Sequence, residues 1–519
     1  MMNVEVEVIS TEIIKPSSPT PNHLRRYQFS FLDQITPPIY TSLVLFYEFN
    51  GETPPPTVAD ISKHLKKSLS EVLTLFYPLA GRVKIDNHFA DCNDEGIPYF
   101  EAQVTNCRLC DFQQSPMSGE LHKLTPFELR DHDNSEFALG VQLNIFECGG
   151  FAIGLCISHK LADGLSMVMF ANTWAAITRG ENETKIERPK FVSATLFPPA
   201  NDVTGYGMFG DIPTNKVTKR FVFNAPTIED LREKYTGLAE GDREKRPSRV
   251  EAVSTFIWRR FAEATKVDYS IDENRFHGAV YTVNMRSRMD PPLPRCSFGN
   301  FYQIFLTTPV ISSSGVDDHE SCHDMVKQVR EEASKIDKDH VKRLQKGEHR
   351  SYINRFLQKF ARQGTLVPLS YSSLCRFPLY DIDFGWGRPT WVAVPPLPYM
   401  NLICLADTKE AGGIEAYVSL PDDAMTKFES DAFIQRRMSM SWVGSAGSNI
   451  TGHRACGPDS NQAENFSTRI LPNFPVILVF LTLLLHGNSQ VYRKPDITYC
   501  ISRKKGPSYK IVVEPESHM

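Results

Sequence analysis

The run Cys156–Gly164, reading CISHKLADG, sets an imidazole and a carboxylate at the end of an apolar stretch. His159 shares the parity of Phe151, Ile153, Leu155 and Ile157, so on an extended strand it projects from the same face, just where the strand stops. A histidine placed there, against an apolar wall, suits a general base. Its ordinary pKa is about 6.5, and an apolar setting keeps the imidazole neutral and able to accept a proton. The same residue also reads as a buried structural histidine. Asp163 has two readings as well. It could orient the imidazole, or cap a helix over Leu165–Ala176, where Leu165, Val168, Met169, Asn172 and Ala176 recur at helical spacing. Asp-Gly directly before a periodic run is a common cap, so the structural reading leads.

Other patterns fail on context. His319-Glu-Ser-Cys-His323 matches the zinc-protease motif, but Asp317, Asp318 and Asp324 flank it, apolar periodicity starts only at Met325, and no third ligand is evident. No metal is expected. Gly205-Tyr-Gly-Met-Phe-Gly210 fits a dinucleotide fingerprint, yet Pro198, Pro199 and Pro213 surround it, with no strand before it and no helix after it. The pair Cys107 and Cys110 lacks a second pair at zinc spacing. In Asp383-Phe-Gly-Trp-Gly387, two glycines around a tryptophan permit a tight loop with positive φ, which Asp383 could tie down through a cation. Nothing in it is nucleophilic, so it reads as a structural turn.

Several elements must position these groups. Thr57 and Asp60 form a cap-like pair before Ile61, Leu65, Leu69, Val72, Leu73 and Phe76, which recur helically until Pro78. Phe137–Ser158 reads as a hairpin of two alternating strands turning at Gly149 and Gly150. From Glu181 to Ile212 the pattern dissolves into charges, prolines and glycines, as in a crossover. A second αβ pattern comes next: helices over Arg249–Phe261 and Asp324–Ile336, and strands over His277–Asn284, Trp391–Val394, Leu402–Leu405 and Glu415–Leu420. Two αβ halves joined by a long loop are expected.

Composition narrows the class. The chain has 519 residues, 41% hydrophobic and 23% charged, the proportions of a folded soluble protein. Lys plus Arg number 57 against 61 Asp plus Glu, a net charge of −4, which makes nucleic acid a poor partner. Cysteines such as Cys148, Cys156 and Cys404 sit in apolar stretches, as reduced, buried thiols would. The start, MMNVEVEVISTEII, lacks a basic n-region and an apolar h-region, and with the thiols points to the cytoplasm. Val4, Val6, Val8 and Ile13 suit a strand. Residues 434–519 change character, and their apolar run Phe474–Leu485 is too short for a bilayer, which takes about 20 residues. No membrane span is expected.

Taken together in order, HKLADG at 159–164 and DFGWG at 383–387 resemble the BAHD family of plant acyl-CoA-dependent acyltransferases. Further matching stretches are Tyr77–Arg82, Asn284–Arg288 with Pro291, Pro292 and Pro294, and Ser297-Phe-Gly-Asn300. The stretches Ser17–Pro21 and Leu32-Asp33-Gln34 look closest to the vinorine-synthase-like branch, whose members acetylate alkaloid alcohols. The resemblance implies an α/β fold of two similar domains of the chloramphenicol acetyltransferase type, each a mixed sheet with flanking helices, and a channel between them. Its division would be an N-terminal domain 1–190, a crossover 191–220, a C-terminal domain 221–433 and an atypical extension 434–519. It implies that His159 takes the proton of an alcohol as the oxygen attacks an acyl-CoA thioester, with acetyl-CoA as co-substrate and no resident cofactor. It turns Asp163 away from the channel toward an arginine, Arg286 or Arg288. It makes Asp383, Gly385, Trp386 and Gly387 a structural element near the CoA side, and places Ser254 and Thr255 at the CoA site. A monomer is implied too, and a chain ending near Ile434 is expected to keep activity, the extension being poorly ordered and dispensable.

Overall fold

Thr57 opens the first long helix, Val58–Leu75, by accepting from the Asp60 amide at 3.1 Å, and its own hydroxyl donates to the Asp60 carboxylate at 2.6 Å. The computed structural model describes residues 4–49, 57–114, 120–128, 136–200, 215–237, 246–265, 275–309, 318–348, 365–431, 434–435, 439–441, 492–494, 497–503 and 509–514. The helix buries Ile61, Leu65, Leu69, Val72 and Leu73, the stripe that the spacing predicts. It packs beside a second helix, Gly164–Thr178.

That second helix differs from the expected stripe. Leu165, Met167, Val168, Phe170, Ala171, Trp174 and Ala175 are buried, whereas Met169, Asn172 and Ala176 are half-buried. It is apolar nearly all round because it is enclosed on several sides. Trp174 donates to Ser68 of the neighbouring helix at 3.0 Å and meets Phe384 edge-on at 4.8 Å, while Asn172 donates to the Pro378 carbonyl at 3.1 Å.

Both helices belong with a six-stranded sheet of order Glu5–Ile14, Ile97–Thr105, Leu139–Phe146, Phe151–Ser158, Tyr40–Tyr47 and Trp391–Ala393. The expected hairpin pairs Leu139 with Ile157 and Ile145 with Phe151, and Gly149 turns it at φ +86°. Alternation would leave one face polar and wet, yet every residue of both strands is buried. Gln142 and Asn144 on the polar face donate instead to the carbonyls of Lys123 and Leu124 at 2.8 and 2.9 Å. A segment laid across the sheet has replaced water. Cys148 is a correction: it is exposed because it falls in the hairpin turn, while Cys156 and Cys404 are buried as expected.

The second sheet has seven strands, ordered Tyr302–Thr307, Arg275–Asn284, Thr365–Ser373, Leu402–Asp407, Ile414–Pro421, Lys216–Phe223 and Ser439–Ser441. It is mixed: Arg275–Asn284 runs parallel to Thr365–Ser373, and Ile414–Pro421 runs antiparallel to Lys216–Phe223. The helices Ala225–Lys234, Arg249–Ala264, His319–Ser334 and Asp422–Glu429 accompany it, and Ser248 caps the second of them in a reciprocal box with Glu251. The core beneath includes Phe256, Trp258, Phe261, Ile403, Val418 and Ile434. The strand Lys216–Phe223 straddles the division expected at residue 220, and Trp391–Ala393 is the edge of the first sheet although it lies within the second half in sequence.

That exchanged strand ties the halves together. Trp391 stacks on Phe46 of the first sheet at 5.0 Å and donates its indole N–H to Glu415 of the second at 3.2 Å. Glu415, buried, also accepts from Tyr417 at 2.7 Å and pairs with Arg220 at 2.5 Å. Beyond Ser441 the described backbone forms a separate three-stranded antiparallel sheet of Tyr492–Lys494, Ile497–Arg503 and Tyr509–Glu514. The glycine-rich pattern at 205–210 and the apolar run Phe474–Leu485 lie outside the described residues.

Candidate active site

His159 comes directly after the last residue of the strand Phe151–Ser158, where alternation predicts it. Its backbone amide donates to the Ile39 carbonyl at 2.8 Å, which continues the pairing with Tyr40–Tyr47 by one step. The imidazole Nδ1 lies 2.9 Å from the Ala162 carbonyl. A carbonyl can only accept, so Nδ1 carries the proton and Nε2 keeps the basic lone pair. Tyr302 stacks on the ring at 5.8 Å and 30°. Burial pushes the imidazole pKa below its ordinary value, against the opposing pull of the Ala162 carbonyl and Asp163. The ring is therefore neutral at pH 7.

The ring lines a cavity of about 310 Å³ between the two halves of the chain. The first half contributes Ile35–Ser42 positions and the start of the Gly164–Thr178 helix; the second half contributes strand residues such as Thr282, Ile304, Ser372 and Leu402. Apolar groups dominate the wall, which includes the segment Val394–Tyr399, and hydroxyls such as Thr41, Ser42, Thr282 and Ser372 interrupt it. That composition suits a largely hydrocarbon small molecule held by few polar contacts.

Asp163 fulfils the cap reading and does something more. Its Oδ1 accepts from the Ser166 amide at 2.9 Å at the helix start. Arg286 clamps both carboxylate oxygens, Nη1 to Oδ2 at 2.7 Å and Nη2 to Oδ1 at 3.1 Å, and the Phe301 amide adds a third donor at 3.1 Å. Burial alone would raise the carboxyl pKa; the Arg286 guanidinium and these donors outweigh it and hold it below the usual range. The imidazole is thus oriented by a backbone carbonyl and not by Asp163. Of the two arginines considered, Arg288 does not take part: it donates to the carbonyls of Ala333 and Ile336 at 2.6 and 2.7 Å.

The Asp383–Gly387 loop adopts the tight turn expected, with Gly385 and Gly387 both at φ +102°. Asp383 ties it down through amides, accepting from Gly385 at 2.7 Å and Gly387 at 3.0 Å. The expected cation comes to the backbone: Arg179 donates to the Asp383 carbonyl. Phe384 is buried against Tyr47 and Trp174, and Trp386 meets Phe151 edge-on at 5.7 Å. The loop from the second half is packed onto the first sheet and lines no part of the cavity.

Ser254 and Thr255 are interior residues. Both are 1% exposed inside the Arg249–Ala264 helix and neither lines the cavity. Tyr281 and Tyr371 donate to the Ser254 hydroxyl and carbonyl at 3.3 and 2.8 Å, which seals that helix face against the second sheet. The zinc-like pair falls in the first turns of His319–Ser334, where His323 Nδ1 lies 3.4 Å from the Tyr235 carbonyl. No group of three or more metal-ligating side chains occurs among the described residues. Cys107 and Cys110 are free thiols.

Sequence reading singled out no role for Asp33, Lys160 or Tyr302. Lys160 is buried and donates to the carbonyls of Asp33 and Gln34 at 3.2 and 3.0 Å, and burial pushes its pKa well below the ordinary value. Tyr302 lies 3.2 Å from the Thr36 hydroxyl. The one local signal was Ser30-x-x-Asp33, a capping box that the structure forms at Phe31–Ile35.

Two mixed sheets, a cavity lined from both halves of the chain and a histidine on its wall define an α/β protein with a basic group at an enclosed site. Residues 4–434 match the model of the Transferase family, and the chain belongs to this BAHD family of acyltransferases. It is 36% identical to stemmadenine O-acetyltransferase of Catharanthus roseus, covering 83% of this chain and 97% of that protein. It is 37% identical to a limonoid 21-O-acetyltransferase of Melia azedarach, with the same coverage. The crystal structure of vinorine synthase superposes with a TM-score of 0.69 at 34% identity, over 82% of this chain and 96% of that one. The same fold recurs at 18% identity and a TM-score of 0.60 in F. sporotrichioides TRI101, solved with coenzyme A and T-2. Among the described residues no helix is long and apolar enough to cross a membrane.

Proposed function

We propose that this chain transfers an acetyl group from acetyl-CoA to a hydroxyl of an alkaloid or related plant specialised metabolite, with His159 as the general base. The observation that carries this is the His159 ring on the cavity wall, with Nδ1 committed to Ala162 and Nε2 left basic. Nε2 removes the hydroxyl proton as the alcohol oxygen attacks the thioester carbonyl. The C–S bond then breaks, and the imidazolium returns the proton to the departing thiolate, giving the ester and free CoA. General acid–base assistance of this kind contributes about 10² to 10⁴ in rate. Alignment of two substrates in one cavity contributes further.

Asp163 and Arg286 act structurally in this reading: they fix the loop that carries His159 and neutralise each other. The names of the relatives, O-acetyltransferases of alkaloids and limonoids, support the donor and the acceptor class. A cytoplasmic monomer suits such a reaction. The test is acyl transfer followed by mass spectrometry with acetyl-CoA and a panel of alkaloid and terpenoid alcohols. An acetylated product is expected; transfer only from an aromatic acyl-CoA, or only to an amine, would replace this donor and acceptor.

A further inference from the structure

The geometry points to Asn300, held by Asp33, as the residue that positions the His159 backbone and so aims its imidazole into the cavity. The proposal rests on the reading of His159 as the base. Asn300 Nδ2 spends both of its N–H groups on acceptors, the Asp33 Oδ1 at 2.9 Å and the His159 carbonyl at 2.8 Å. Those two acceptors fix which way the amide faces, since its oxygen would repel both. Asp33 is in turn immobilised: Oδ2 accepts from the Ser30 amide and hydroxyl at 2.8 and 2.6 Å, and Oδ1 also takes the Asn300 amide at 3.3 Å. Asp33 and Asn300 are both fully buried. Neither lines the cavity, so neither touches a substrate there.

The arrangement joins the two halves of the chain. Asp33 lies in the first half, and Asn300 in the turn that leads into the strand Tyr302–Thr307 of the second sheet. His159 is thereby gripped at three points: its amide by Ile39, its ring by Ala162 and its carbonyl by Asn300. Removing the carbonyl grip frees the peptide plane at the catalytic residue, and displacement by about 1 Å can cost on the order of 10²-fold in rate. Such a loss falls on kcat, because the binding surface is unchanged.

The experiment exchanges the two side chains. In the double variant Asp33→Asn/Asn300→Asp the new amide donates to the new carboxylate, with the charge count kept, but position 300 has no donor left for the His159 carbonyl. Steady-state kinetics with both substrates, per mole of folded protein as fixed by thermal unfolding, should show kcat lowered on the order of 10- to 100-fold and KM values unchanged. Wild-type kcat would overturn the proposal, and so would a loss carried by KM. If the double variant does not fold, Asn300→Ala is judged by the same kinetics; failure of both to give soluble protein assigns Asn300 to folding and also overturns it. His159→Ala is measured in parallel. Retained turnover in that variant would defeat the base reading itself, whatever Asn300 does.

Discussion

Asp163 and Arg286 form a two-pronged ion pair that joins the loop after the first hairpin to the turn after the strand Arg275–Asn284. Both side chains are almost fully buried, so neither can fall back on water when the other is removed. Arg286→Ala should therefore destabilise the fold by about 3–5 kcal/mol, the cost of an uncompensated buried charge. Urea unfolding checks it, and a change within error of zero would show that water or another cation takes over. The carboxyl pKa is depressed in the fold, so this stabilisation is present above the unfolded value and is lost as pH falls below it.

The pH dependence of catalysis is set by the surroundings of His159. Its pKa is lowered chiefly by desolvation, with Asp163 pulling upward and Lys160 downward. A base works in its neutral form, so kcat/KM should be lost as pH falls through a midpoint below about 6.5. Tyr302→Ala, which uncovers one face of the ring, should move that midpoint upward. A midpoint above the free value in the wild type would contradict the assignment. For stability, the unfolded chain takes up this proton first, so folding weakens as pH drops below the unfolded pKa.

Glu415 tests the bond between the halves. It accepts from Trp391 and Tyr417 while pairing with Arg220. Glu415→Gln keeps the shape but leaves Arg220 without its charge partner, and should cost about 3 kcal/mol or more. Because Trp391 stands at the edge of the first sheet, limited proteolysis should then begin near that strand. An unchanged digestion pattern would show that the Phe46 stack suffices.

Gly385 and Gly387 occupy a backbone region that other residues enter at a cost of about 1–3 kcal/mol. Gly387→Ala has open space for its methyl group, so any loss there is conformational strain alone. The melting temperature should fall while turnover of the folded fraction stays unchanged, since the loop does not line the cavity. Loss of turnover without loss of stability would instead give the loop a direct part in the reaction.

Shortening the chain separates the family domain from the C-terminal extension. Ile434 is fully buried in the second core, and the backbone of Ser439–Ser441 pairs with Val222–Arg220 as an added edge strand. A chain ending after Ser441 should keep its activity per mole. One ending at Ile434 should keep it as well with a lower melting temperature, because only an edge strand is lost. Insoluble protein from both would make the extension part of the fold.

Local features were the legible ones. The parity of His159, the caps at Thr57 and Asp163 and the glycines at 385 and 387 are each set by neighbours in sequence, and each appears where its pattern predicts. What could not be read depends on distant partners. The strand Tyr40–Tyr47 carries the apolar run Leu43–Tyr47 with no alternation because both of its faces are covered, Leu43, Leu45 and Tyr47 entering one core and Val44 and Phe46 another. Gln142 and Asn144 take up the carbonyls of Lys123 and Leu124, partners that the hairpin pattern alone does not name. Asn300 reaches Asp33 across 267 residues, a separation that no spacing rule covers. The choice between Arg286 and Arg288 also needed the fold, since a short helical turn sends the two side chains to different partners.

The most direct measurement compares purified wild type with His159→Ala, each given acetyl-CoA and the alcohol panel, by mass-spectrometric rate. The wild type should add one acetyl group to an alcohol, and the variant should be slower by about 10² or more. Equal rates in the two proteins would contradict the general-base role of His159, since the basic nitrogen on the cavity wall would then have no part in the transfer.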